Sequence, residues 1–150
     1  MEWIADGGIF RRELAIDAVN RRRVLPYRLS RADFSLLVEE ALQSVPEEFS
    51  RFLEEVPVEV LDLPTAEQIK SVGLKPGALL LGLYRGMPRT VRSVEQTGRM
   101  PDRIYIFQQS IQQVCNSREA LVQQVRKTVL HEIGHHFGMS EQDLRDIGYG

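Results

Sequence analysis

Leu130-His131-Glu132-Ile133-Gly134-His135-His136-Phe137-Gly138-Met139-Ser140-Glu141 is the stretch on which the reading of this chain turns. It holds His-Glu-x-x-His, the spacing that sets two imidazoles one turn apart on one helix face. At about 100° per residue, His131 and His135 point within roughly 40° of each other and lie about 6 Å apart along the axis. Two neutral imidazoles so placed can share one tetrahedral zinc ion. Glu132 follows the first ligand directly, beside the metal, where a carboxylate can take the proton of an activated water. The competing reading of the same residues is a polar stripe on an ordinary helix.

The surroundings favour the metal. The chain has three histidines, and all of them fall in this segment. Residues 117–130 read as helix, which is the context the motif requires. Val122, Val125, Val129 and Ile133 share one stripe on the side of the helix opposite the two ligands. The ligands are therefore expected to face away from the core contact, toward a cleft. His136 falls within the core stripe by the same helix period and reads as a packed histidine rather than a ligand. Gly138 stands where a helix commonly ends on a left-handed glycine, letting the chain turn back. Glu141, six residues after His135, is then within reach of the same ion. Its competitors are Asp143 and Asp146, and capping of a last short helix over 140–147 is the other role open to Glu141.

This segment resembles the zincin metallopeptidases, whose long form runs His-Glu-x-x-His-x-x-Gly-x-x-(His/Asp), with Glu141 at the third-ligand position. It is most similar to a small bacterial zincin-like family with the run His-Glu-x-x-His-His-Phe-Gly-x-Ser-(Asp/Glu), sharply over His131–Glu141 and more loosely from about Leu29. The resemblance implies one zinc per chain held by His131, His135 and Glu141, with Glu132 as general base and a peptide or protein as substrate. It also implies an α+β build, a minimal zincin-like fold in which a small twisted sheet packs on helices and its edge strand borders the cleft. One departure stands out. Metzincins carry a methionine turn after the motif, and this sequence ends nine residues beyond Glu141.

Length and composition set the outer limits. A chain of 150 residues is expected to form a single domain with an adequate core. A formal net charge of −2 gives no sign of a nucleic-acid partner. Cys115 is the only cysteine, which rules out an internal disulfide and fits a reducing compartment. With no apolar run suited to a signal peptide or a membrane span, a cytoplasmic protein without membrane contact is the expectation.

Along the chain, residues 1–28 form a separate extension and 29–150 the zincin-like domain. Arginines at 11, 12, 21, 22 and 23, spread among Ile9, Phe10, Leu14, Ile16, Val19, Val24 and Leu25, suggest an amphipathic helical arm over 9–25. Ser30 caps a helix whose apolar stripe is Phe34, Leu37, Val38, Ala41 and Leu42, and Pro46 opens a second one with Phe49, Phe52 and Leu53. Residues 56–63 alternate as a strand with one wet face, Thr65 starts a single turn of helix, and 78–84 is an apolar, more buried strand. The stretch 85–101 reads as a loop that repeats arginine at 85, 89, 92 and 99, either solvated or holding a substrate's acidic group. Residues 102–107 form a third strand, expected at the sheet edge, followed by a short helix over 108–114 and a cap at Asn116-Ser117.

These expectations support a zinc-dependent peptidase. The alternative from another class is a non-catalytic metal- or peptide-binding module that keeps the site without turnover. A metal-dependent hydrolase acting on a non-peptide amide is a third reading.

Overall fold

The structure, a computed structural model, describes residues 4–6, 9–16, 26–74, 78–86 and 102–147; at 4–6, 9–16, His135 and Glu141 it describes the backbone alone. Five strands join in one mixed sheet in the order β1-β2-β4-β5-β3: β1 (Ile4–Asp6), β2 (Ile9–Ile16), β3 (Val58–Leu61), β4 (Leu79–Gly86) and β5 (Arg103–Phe107). β1–β2, β2–β4 and β4–β5 pair antiparallel, whereas β3 lies parallel to β5 with Val58 opposite Ile104. The helices are α1 (Arg31–Gln43), α2 (Glu47–Glu55), α3 (Ala66–Val72), α4 (Gln108–Gln112), α5 (Arg118–His136) and α6 (Glu141–Asp146). The α+β build expected from the sequence is the one observed.

Helix starts follow local chemistry. Ser30 Oγ accepts from the Asp33 N–H at 3.1 Å, and Thr65 and Gln68 exchange two bonds in a capping box. Ser117 Oγ accepts from the Ala120 N–H at 3.1 Å at the start of α5. The apolar stripes then sort the layers. Phe34, Leu37, Val38 and Ala41 of α1, Phe49 and Phe52 of α2, and Leu121, Val125, Val129, Leu130 and Ile133 of α5 form one core with Leu81, Tyr84, Ile104 and Ile106 of the sheet. Each of the Val, Leu, Ile and Phe side chains contributes about 1.5–3 kcal/mol by leaving water. On the opposite face Leu80, Leu83 and Phe107 meet Val72 of α3.

The register between β2 and β4 slips at Leu14/Ala15, so Leu81 stands opposite no residue of β2. This bulge turns β4 so that Leu81 and Tyr84 both belong to the helical core while Leu80 and Leu83 belong to the other. Gly82 is a point of close approach: a Cβ there would stand 2.5 Å from Thr128 Cγ2 of α5. The missing side chain lets α5 lie directly on the sheet.

Two expectations are corrected. Where a helical arm was expected over 9–25, residues 9–16 are strand β2, paired along its length with β4; 17–25 lie outside the described residues. Pairing with β4 overrides the local helical pattern, as tertiary context does for strands generally. The third strand is not at the edge either. β5 is bonded on both sides, because Ile104, Ile106 and Phe107 are fully buried and its polar end is engaged, Arg103 Nη1 donating to Glu59 Oε2 at 2.7 Å. The edge next to it is β3, all four of whose residues are half-buried. Arg31 of α1 blunts that edge, donating to Val60 O at 2.6 Å and to Gln108 Oε1 at 3.0 Å and pairing with Asp62.

Candidate metal centre

α5 carries Thr128, Glu132 and His136 as an i, i+4, i+8 ridge facing the sheet. Thr128 meets Gly82 at one end, and at the other the His136 ring stacks on Tyr84 with centroids 5.2 Å apart and planes 28° apart. Glu132 lies between them and is fully buried (0 % exposed). The next strip around the helix holds His131, which is 4 % exposed. The whole turn His131–Gly134 is buried, deeper than the open cleft expected from the helix geometry. A carboxylate and an imidazole in such a place are costly unless charge or hydrogen bonds compensate them. The imidazole suits a divalent cation, and the carboxylate beside it suits proton transfer.

Directions around α5 fix where the ligand face looks. Going round the helix, Gly134 lies to one side of His131 and Thr128 to the other, with His136 and Arg118 together farther round beyond Thr128. Gly134 faces α6: a Cβ there would stand 3.2 Å from Leu144 Cγ and overlap its Cδ2. Thr128 faces the sheet. Arg118 pairs with Glu40 of α1, and His136 meets Phe52 of α2 with centroids 4.6 Å apart. His131, which falls between the directions of Gly134 and Thr128, therefore faces the space between the sheet and α6, away from α1 and α2. The side chain of His135 lies outside the described residues.

The exit from α5 brings α6 back. Gly138 has φ +81°, and the Met139 N–H donates to Gly134 O at 2.9 Å, the 6→1 bond of a Schellman end. Ser140 and Asp143 then cap α6 reciprocally, Ser140 N–H donating to Asp143 Oδ2 at 2.8 Å and Asp143 N–H to Ser140 Oγ at 3.1 Å. The Ser140 backbone bond, and next the bond with its side chain, hold the Asp143 carboxyl below its ordinary value. Asp146 accepts from Gln142 Nε2 at 2.7 Å. Both competing carboxylates thus have local partners, and the capping role falls to Asp143. The Glu141 side chain is outside the described residues; its backbone opens α6. Among the described residues there is no group of three or more His, Cys, Asp or Glu arranged to hold a metal.

His136 is 1 % exposed and packed among Tyr84, Phe52 and Phe137, as its place in the core stripe indicated. A buried pair behind it escaped sequence reading: Tyr84 Oη donates to Asp102 Oδ2 at 2.5 Å. Asp102 reads as a strand end, and only the sheet register, which sets Tyr84 opposite Ile104, brings the two together on the diagonal. Gly134 did carry a signal, since a helix-interior glycine costs about 1 kcal/mol against alanine and marks a close approach. Arginines 89, 92 and 99 of the expected loop lie outside the described residues.

No described helix is long and apolar enough to cross a membrane. A family model described as zincin-like metallopeptidase matches residues 53–150, from within α2 through the motif. No curated protein matches the chain.

Proposed function

The chain belongs to the zincin-like metallopeptidase family, and from that premise we propose that it is a zinc-dependent peptidase. The observation that carries the reading is Glu132, a carboxylate fully buried on the motif turn beside the nearly buried His131. His131 and His135 would hold the zinc through ring nitrogens and Glu141 through its carboxylate, one ion per chain. Bound there, zinc supplies Lewis acidity toward water and toward a peptide carbonyl. Glu132 takes the proton from the attacking water and returns it to the nitrogen of the leaving amine. Its position on the sheet-facing ridge keeps it out of bulk solvent, where its proton transfers are not levelled by water.

The substrate is a peptide or protein segment. Arg31 on the outer edge of β3 argues against strand addition there. The ligand face of α5 turns away from α1, which supports placing an extended peptide at the other side of the sheet, toward β1. The buried thiol of Cys115 fits a cytoplasmic setting.

The deciding experiment measures metal content and hydrolysis together. Protein purified without chelator or immobilised nickel should carry about one zinc per chain, as expected for a site with three protein ligands and an open position. Glu132→Gln should keep that zinc while cleavage of a peptide-library substrate falls by roughly 10²–10⁴. Wild-type protein that takes up no divalent metal at neutral pH would refute the reading. Full metal occupancy with no cleavage by wild type would replace it with the non-catalytic binding module.

A further inference from the structure

A concavity of about 950 Å³ lies away from the ligand face of α5. Its floor is apolar: Phe49, Phe52, Phe137, Met139 and Ile147. Phe137 and Ile147 are 38 % and 47 % exposed, large apolar side chains left toward water. Its rim comes from α2 and carries Glu47, Glu48 and Glu55 against one cation, Arg51. That arginine is already paired with Glu47 at 3.3 Å. Glu48 and Glu55 are exposed and take part in no ion pair among the described residues.

The placement of Glu55 adds to the negative field. It ends α2, where the helix dipole already presents partial negative charge, and no basic residue occupies that last turn. Carboxylates at that end are locally unfavourable, and a bound cation relieves them. The groove therefore asks for two things in one ligand: large apolar side chains for the aromatic floor and positive charge for the rim.

We propose that this groove is a docking site, separate from the metal centre, for a segment of a partner protein in which large apolar residues alternate with Lys or Arg. His136 links the two regions, since its ring contacts both Phe52 and Phe137 while its backbone follows His135. Docking itself needs neither the metal nor Glu132, so it stands independently of peptidase activity.

The test uses the full-length protein and fluorescence anisotropy with a labelled leucine/lysine peptide, its integrity checked by mass spectrometry. Two matched peptides replace every lysine by glutamate or every leucine by serine. The leucine/lysine peptide should bind at least about tenfold more tightly than either control, and its binding should weaken with added salt. Glu48→Lys combined with Glu55→Lys should weaken it roughly tenfold, since each exposed pair contributes a few-fold and its reversal adds repulsion. Both sites are exposed, and an unchanged melting curve establishes that the variant is folded. Ile147→Asp, measured alongside, should weaken binding by removing floor area. Equal binding of the leucine/glutamate peptide, or an unchanged affinity in the double variant, overturns the proposal. So does sedimentation showing that the groove is closed by a second copy of the chain.

Discussion

Gly134 of the motif helix lies against Leu144 of α6 so closely that a side-chain carbon on the glycine would overlap the leucine Cδ2. This contact, rather than the turn alone, sets how near α6 returns to α5. Glu141 opens α6 three residues before that leucine.

Gly134→Ala should therefore weaken zinc binding more than it weakens the fold. Alanine favours helix by about 1 kcal/mol over glycine, while overpacking against a fully buried leucine costs about 1–3 kcal/mol. The net change in melting temperature should be small and downward. Zinc affinity, measured by competition with a chromophoric chelator, should fall at least about tenfold, as expected when a positioned ligand is displaced. Combining it with Leu144→Ala should recover part of that affinity. If Gly134→Ala binds zinc like wild type, α6 does not position a ligand.

For the third ligand the prediction separates neighbours in one helix. Glu141→Ala should lower zinc affinity by about 10–100-fold or more. Asp143→Asn should leave it nearly unchanged at neutral pH, because that carboxylate is engaged with the Ser140 N–H. Equal losses in both variants would show that the assignment between them is wrong.

Tyr84→Phe removes the hydroxyl that donates to Asp102, a side chain only 4 % exposed. Loss of a donor to a buried acceptor costs about 1–3 kcal/mol, so thermal or urea unfolding should report a loss in that range. The phenylalanine ring still stacks on His136, so zinc stoichiometry should hold. A variant as stable as wild type would show that the Tyr84–Asp102 bond adds nothing to the fold.

The Cys115 thiol is 3 % exposed, and burial pushes it up to about 11 from 9.0. The folded value is raised, so this stabilisation is fully present below the unfolded value and is lost as pH rises from there through about 11. At pH 8 the thiol should react with an aromatic disulfide reagent far more slowly in native protein than in urea. Equal rates in the two states would place Cys115 at the surface.

Much of the molecule is legible in its sequence because the interactions concerned are local. Ser30, Thr65 and Ser117 cap within three residues, Gly138 ends α5 through a bond spanning one turn, and the apolar stripes of α1, α2 and α5 follow the helix period. The same period fixes the relative directions of His131, Glu132, His135 and His136, and it put His136 in the core. What only the tertiary structure decided depends on which strands meet. Residues 9–16 carry a mixed pattern that local propensity resolves as helix, and pairing with β4 turns it into strand. Nothing within residues 102–107 says that β3 will cover their outer side in parallel, or that Arg31, distant in sequence, will bond Val60 at the edge. The depth at which Glu132 lies follows from Gly82 admitting α5 onto the sheet, and the approach of α6 from Gly134 admitting Leu144. Both are contacts between elements, and a glycine in sequence shows only that something comes near, not what.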